Sequence, residues 1–595
     1  MVDANYWKAI SMTHLPRRRA VTGGAALLGA SALLAACGDD EQSAGSDSNG
    51  GGRVFTDTKA EGPVKRGGLW PQTATEPTNF DAFAQATAVV PQNVSSYIQG
   101  RLLKYKTEPG LDPNLFTIQP DLAESYEVSG DGLTYTFKLR RNVKFHNVAP
   151  VNGRVFDAQD VVATYRRFQA MAPNFTAAFQ DLVENVTAPD DYTIVFKVSR
   201  RIANFLSLLA QAQYLLIFPR EAGEGFDPRR TIIGTGPWMM SQYTPSSGME
   251  FARNPDYYEP GLPYLDRINT TFLTETSAQL AQFAAGNFYT YPTGAGSVNA
   301  QIPDGDFRDL LDRLPDLRIL AIKEANRPGS LSFGRGDNPQ YFLDDRVRKA
   351  VSLSIDRDAV ITAIAQVEEY RALGLEKTYH LQNYMPYAFS KWWVDPRGKE
   401  MGDSAQWFQY DPTKAKQLLS AAGYPNGFDT EWHFDNRSGV TPNDTVAALA
   451  QAVTDVGIRA KLTIDDYNTV FQPRTQIGLN TGLLNTVWIT NSDPSGYLSL
   501  LFGPGSNRNK LAINDAKFNG MFAAQDAEMD DERRKAILVD IYKYVAENMW
   551  EMPFSTNTDS YSLAYPFVKD INAYQDAVGD FGTGSGGILY RWLDK

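Results

Sequence analysis

QPDLAESYEVSGDGLTYTFKLRRNVKFHN (Gln119–Asn147) and the nearby VFDAQDVVATYRRF (Val155–Phe168) carry the two periodicities from which the fold is read. In the first, Ser129, Gly130, Asp131 and Gly132 supply a turn. Leu133, Tyr135, Phe137 and Leu139 then alternate with Thr134, Thr136 and Lys138. Successive side chains of a strand point to opposite faces, so this alternation predicts a half-buried strand of a hairpin. Tyr192, Ile194, Phe196 and Val198 repeat the pattern. In the second stretch Asp157 predicts an N-cap, and Val161, Tyr165 and Phe168 follow at helical spacing.

Helices are equally legible further on. Asp411 as cap, Pro412 at the first helical position and Gly423 at the end bracket Ala415, Leu418, Leu419 and Ala422. A late helix is predicted to bury a face of Ile537, Ile541, Tyr544 and Val545. Strand and helix patterns intersperse throughout, without an internal repeat, so the class is mixed α/β. A chain of 595 residues, 43% hydrophobic and 12% aromatic, exceeds one ordinary core and has ample material for several. Its formal charge of −12 argues against nucleic acid as a partner.

The first two stretches, followed in order by GTGPW (Gly234–Trp238), ARNPDYYEPGLPYLDRI (Ala252–Ile268), FLDDRVRKAVSLSIDRDAV (Phe342–Val360) and YDPTKAKQLLSAAGYPNGF (Tyr410–Phe428), resemble family 5 extracellular solute-binding proteins. These are the oligopeptide, dipeptide and nickel binding proteins of ABC importers. The resemblance runs from about residue 70 to the end. It implies a bilobed periplasmic-binding-protein-like fold, large and type II-like, with a ligand cleft between the lobes and an extra subdomain. Lobe I is expected at 66–110, 218–322 and 552–595, the extra subdomain at 111–217, and lobe II at 323–551. The implied partners are a peptide or small-molecule ligand and an ABC permease, with no cofactor and a monomeric body. Most of the motif residues read as scaffold: Gly234 and Gly236 as a tight turn, and Val347, Ala350, Val351 and Val360 as the packing face of two capped helices.

The amino terminus adds a destination. Arg17, Arg18 and Arg19 precede the mildly apolar run from Ala20 to Ala36, which is too short and weak for a good membrane span and reads as a signal peptide. Leu34-Ala35-Ala36-Cys37 resembles a bacterial lipobox, and Cys37 is the single cysteine of the chain, so no intrachain disulfide competes for it. The arginine run also resembles a twin-arginine signal, although Pro16 precedes it and no Phe follows at the usual place. The expectation is export and lipidation at Cys37. Residues 37–65 then hold the chain to the outer face of the membrane by a polar tether, whose Gly38–Arg53 segment reaches on the order of 20 Å.

Candidate ligand contacts come from the resemblance. Tyr467 and Arg474, in DYNTVFQPR, match an aromatic and an arginine that face the cleft in oligopeptide binders. Trp488 opens a segment matching the family's ligand-anchoring region, where peptide binders carry an acidic residue for the peptide's ammonium. Here Thr490 or Asn491 stands in that place, depending on a one-residue gap, while Asp493 is the nearest carboxylate. A buried ammonium without a counter-charge costs several kcal/mol. A neutral or acidic solute, a blocked peptide or a sugar, stacked on Trp488 and Tyr467, therefore fits better than a free-amine peptide. Trp432 and His433 complete the candidate set.

The enzyme reading has little to stand on. There is no Gly-x-Ser-x-Gly elbow, and the four histidines, His14, His146, His380 and His433, have no metal-ligand spacing. Gly582–Gly587 lacks the lysine of a phosphate loop. His146 reads as a packed or surface residue. A ligand receptor or peptide chaperone uncoupled from import is the other open reading, since the partner surface carries no motif.

Overall fold

The alternating stretch forms its hairpin. In the computed structural model, Thr134–Leu139 lies between Ala123–Val128 and Thr193–Val198 in an antiparallel sheet that Val183–Asp190 completes. The model describes residues 54–55 and 63–595, apart from 85–88, 108–115, 172–181, 212–213, 292–301, 303, 323–328, 337–339, 436–441, 467–469, 472–480, 488–492, 505, 507–508, 555–559 and 571–587. Tyr135, Phe137, Leu139, Ile194, Phe196 and Val198 are buried on one face, against Val161, Tyr165 and Phe168 of the helix Ala158–Met171. Asp157 Oδ1 accepts from Gln159 N at 2.8 Å, as the predicted cap requires.

A second sheet, in the order Leu69–Thr73, Arg267–Thr271, Gly248–Arg253 and Trp238–Thr244, lies over a separate core around Trp70, Trp238, Phe251 and Ile268. The GTGPW motif explains how this core seals. A Cβ on Gly234 would fall 2.1 Å from the Ile98 carbonyl oxygen, and one on Gly236 would fall 2.6 Å from the Ile98 carbonyl carbon. Only glycine lets this segment approach the end of the helix Val89–Ile98 so closely. His146 packs at the same junction. Its Nε2 donates to the Gly236 carbonyl at 3.0 Å, and burial depresses its pKa to about 4.

A third sheet runs in the order Val54–Phe55, Arg318–Ile322, Ser560–Ala564 and Thr290–Tyr291. The fourth has five strands, in the order Ile458–Asp465, Phe428–Asp435, Leu483–Val487, Gly329–Phe333 and Glu551–Pro553. The helix Asp345–Ser354 is capped by Asp344, Arg357–Ile364 by Asp356 and Pro412–Ala421 by Asp411, each with the expected side-chain bond to a backbone N–H. Val347, Ala350, Val351 and Val360 are all buried.

The late helix, Asp531–Asn548, corrects one expectation. Its buried stripe is Arg534, Leu538, Ile541, Tyr542, Val545 and Ala546, with Ile537 and Tyr544 half-buried at its margin. The stripe is rotated because a charged residue belongs to it: Arg534 is buried against a carboxylate, which apolar periodicity does not register. Tyr370 and Leu375 pack into the core of the third sheet, where Tyr370 donates to the Ile302 carbonyl at 2.7 Å and stacks on Tyr561.

A candidate ligand cleft at the carboxyl edges of two sheets

Strand directions locate the site. In the five-stranded sheet Phe428–Asp435 is parallel to Ile458–Asp465 and to Leu483–Val487, while Gly329–Phe333 is antiparallel to Leu483–Val487 and to Glu551–Pro553. Asp435, Asp465, Val487 and Pro553 therefore end at one edge of the sheet, where Gly329 begins. In the third sheet Ile322, the carboxyl end of its strand, pairs with Ser560, the start of the neighbouring one. The chain passes from Ile322 to Gly329 and from Pro553 to Ser560, so both passages join carboxyl edge to carboxyl edge. Seven residue steps span at most about 25 Å, which bounds the gap between the two edges. Crevices outside the carboxyl ends of parallel strands are where such sheets bind ligands.

The candidate residues converge on this edge in sequence. Tyr467 and Arg474 follow the strand that ends at Asp465, and Trp488, Thr490 and Asn491 follow the strand that ends at Val487. These five lie outside the described residues, as does Cys37. Trp432 and His433 lie on the strand Phe428–Asp435 and point to opposite faces. Trp432 is fully buried with Phe428 and Phe434, and its indole N–H has no hydrogen-bond partner among the described residues. Phe428 on that face stacks on Tyr341, with ring centroids 4.0 Å apart.

The opposite face is polar. His433 is held between two carboxylates, with Nδ1 3.1 Å from Asp465 Oδ2 and Nε2 3.0 Å from Glu431 Oε2. Thr463, His433, Leu484, Ser332 and Glu551 pair in one register row across all five strands. Ser330 and Ser332 both donate to Oε1 of the buried Glu551, the latter at 2.8 Å. Glu431 is half-exposed beside this row. Sequence reasoning missed Ser330, Ser332, Glu551 and Asp465. The alternation Ser330, Leu331, Ser332, Phe333 was a visible signal for the first two; Glu551 and Asp465 become neighbours of the row only through pairing.

Asp493 is committed elsewhere. It caps the helix Pro494–Phe502 and accepts from both terminal nitrogens of Arg534, with Nη1–Oδ2 at 2.9 Å and Nη2–Oδ1 at 2.6 Å. Burial alone would lower the Arg534 guanidinium, and the Asp493 carboxylate reverses this, holding its pKa above the ordinary value. The strand leading into the second passage is tied down by two further arginines. Arg348 donates to the Asn548 and Met549 carbonyls and Arg357 to the Pro553 carbonyl, and burial lowers both guanidinium groups to about 10.

Residues 117–509 match the family described as bacterial extracellular solute-binding proteins, family 5 (middle). The chain belongs to that family. Heme-binding protein A of Haemophilus influenzae is 26% identical over 496 residues, covering 79% of this chain and 80% of that protein. Di/tripeptide-binding protein 1 of Pseudomonas aeruginosa is 26% identical over 495 residues, covering 79% and 85%. Among solved structures, periplasmic binding protein DppA from Helicobacter pylori in complex with the peptide STSA superimposes with a TM-score of 0.68 at 20% identity, covering 89% of this chain and 99% of that one. The substrate-binding protein CtaP from Listeria monocytogenes gives 0.70 at 19% identity, covering 89% and 100%. The fold is the bilobed α/β fold of periplasmic binding proteins, as the sequence implied. This family 5 protein is the substrate-binding component of an ABC importer, delivering a ligand to a membrane permease. Its relatives are binding proteins, and family members work in the periplasm or outside the cell. No helix among the described residues is long and apolar enough to cross a membrane.

Proposed function

We propose that this protein is a monomeric, lipid-anchored receptor that captures a peptide-like or other small polar solute lacking a free ammonium, and releases it unchanged to the permease. The observation that carries the reading is that the strands ending at Asp465 and Val487 finish at one carboxyl edge, and that Tyr467 and Arg474 follow the first in sequence while Trp488, Thr490 and Asn491 follow the second. Lobe I takes residues 66–110, 218–322 and 552–595, the extra subdomain 111–217 and lobe II 323–551, with Tyr370 reaching back to lobe I. Ligand binding shifts an open–closed equilibrium that the permease reads. The role is recognition without a covalent step. Export ends with acylation of Cys37, which tethers the body at the membrane surface.

Solved relatives hold the peptide STSA in one case and agropinic acid in another, so the fold accepts both peptides and acidic conjugates. The commitment of Asp493 to Arg534 supports a solute of the second kind, because the nearest carboxylate to Asn491 is already neutralised. The test is a melting-temperature screen of the Cys37→Ser protein against free and amino-blocked peptides, oligosaccharides and acidic amino-acid conjugates. A ligand at 100 times its dissociation constant adds about 2.7 kcal/mol. Stabilisation by blocked peptides or acidic conjugates, with the compound recovered intact, is the expected result. Tight binding of free-amine peptides would overturn the ligand class, and turnover of a hit would overturn the non-enzymatic role.

A further inference from the structure

Two bridges join the extra subdomain to lobe II away from the passages between the sheets. Both end on the helix Pro494–Phe502. In the first, the loop between Thr193–Val198 and the helix Phe205–Ala210 meets Asp526, the penultimate residue of the helix Ala516–Ala527. Ala203 N donates to the Asp526 carbonyl at 2.8 Å, and Arg200 Nη1 donates to Asp526 Oδ2. The other carboxylate oxygen, Oδ1, accepts from Ser495 Oγ at 2.8 Å. Ser495 in turn accepts from Arg534 Nη2 and from Gln525 Nε2, both at 3.0 Å, and Arg534 grips Asp493. In the second bridge Phe116 stacks on Phe389, with centroids 4.4 Å apart and planes 10° from parallel, and Phe389 meets Tyr497 edge-on.

We propose that Arg200 and Asp526 form a closed-state latch, seated through Ser495 and Arg534 on Asp493. The proposal rests on the two-lobe reading above and adds a regulation of that cleft. Its geometry is that of a rim contact with a rigid receiver. The Arg200 side chain is 54% exposed and that of Asp526 2%, so Arg200 can withdraw into water while Asp526 stays seated on Ser495. Parting the extra subdomain from lobe II breaks, among the described residues, one charge-assisted bond, one backbone bond and an aromatic stack, and leaves the bonds among Ser495, Arg534 and Asp493 intact. The half that belongs to lobe II is thus preformed. By linkage, a ligand held between the lobes favours the latched state, and the latch favours the ligand.

The test needs no ligand. Cys37 is the only cysteine of the chain, so Cys37→Ser followed by Asp191→Cys and Glu400→Cys, both on the exposed surface, places one spin label on the extra subdomain and one on lobe II. Distance distributions are recorded for this protein and for Arg200→Ala, Arg200→Lys and Asp526→Asn added to it, with melting temperatures alongside. The parent is expected to favour the short distance, and Arg200→Ala to move the closed-to-open ratio about tenfold toward the long one. Arg200→Lys should recover part of the shift. Raising salt to about 1 M should open the parent and leave Arg200→Ala unchanged, because an exposed arm is screened. Identical distributions in parent and Arg200→Ala, or a lowered melting temperature without a change in distance, would reduce the contact to packing and overturn the latch. So would a parent already at the long distance. The melting screen decides the ligand reading separately.

Discussion

Asp493 and Arg534 meet as a two-pronged buried ion pair, with N–O distances of 2.9 and 2.6 Å, two residues beyond the candidate contact Asn491 in sequence. The carboxylate nearest the expected anchor position is therefore a structural counter-ion. Removing one partner strands the other without water. Arg534→Met should cost about 3–5 kcal/mol, and the pair Asp493→Leu with Arg534→Met should recover most of it, as paired apolar replacements do. Thermal unfolding of the two single variants and the double variant gives the coupling directly. Additive losses would show that the pair does not act as a unit.

Asn491 offers the complementary experiment at the ligand. Asn491→Asp places a carboxylate at one of the two positions, Thr490 and Asn491, proposed to match the acidic residue of the family's peptide binders. This variant is expected to gain affinity for free-amine peptides by tenfold or more, with little change for amino-blocked ones. Isothermal titration of one peptide and its acetylated form against both proteins measures the difference. Equal affinities in parent and variant would place the recognition of the amine elsewhere.

His146 sets part of the acid sensitivity. Its pKa is depressed to about 4 by burial, whereas the unfolded chain titrates near 6.5. Between those values the unfolded state binds the proton that the folded state refuses, so this histidine makes stability fall as the pH drops from about 6.5 to 4. The shift corresponds to a loss on the order of 3 kcal/mol. His146→Gln keeps an N–H for the Gly236 carbonyl and cannot titrate. Its melting temperature should decline less between pH 7 and pH 4 than that of the parent. Parallel curves would contradict a neutral buried imidazole.

Gly234 and Gly236 are expected to tolerate nothing larger. A methyl group at either position meets the backbone of Ile98, which has no side chain to swing aside. Gly234→Ala or Gly236→Ala should cost roughly 1–3 kcal/mol or more. Gly130→Ala, where nothing lies within 4 Å, should stay within about 0.5 kcal/mol. Melting temperatures of the three variants make the comparison.

The parts of the fold legible in the sequence were those that local periodicity and caps encode. Tyr135, Phe137, Leu139, Ile194 and Phe196 lie on a buried strand face as their alternation implied, and Asp157, Asp344, Asp356 and Asp411 cap helices. What escaped was set by pairing between distant segments. Glu551 and His433 share a register row only because two intervening strands align them, and no spacing in the chain announces it. Arg534 escaped for a related reason. Reading helix faces by apolar residues alone assigns an arginine to water, whereas its partner Asp493, 41 residues earlier, makes burial affordable. Trp432, one of the candidate ligand contacts, lies on the strand face shared with Phe428 and Phe434 and is fully buried there.

The third sheet carries a consequence for how the molecule is made. Its strand Ser560–Ala564 sits between Arg318–Ile322 and Thr290–Tyr291, holding together segments made hundreds of residues earlier, and Ile588, Leu589 and Leu593 fill the neighbouring core. This sheet therefore cannot complete itself while the chain is still emerging. Its loop closure waits for nearly the last strand, the slow kind of non-local contact. Arg318–Ile322 and Thr290–Tyr291 stay unbridged until the tail of the chain arrives.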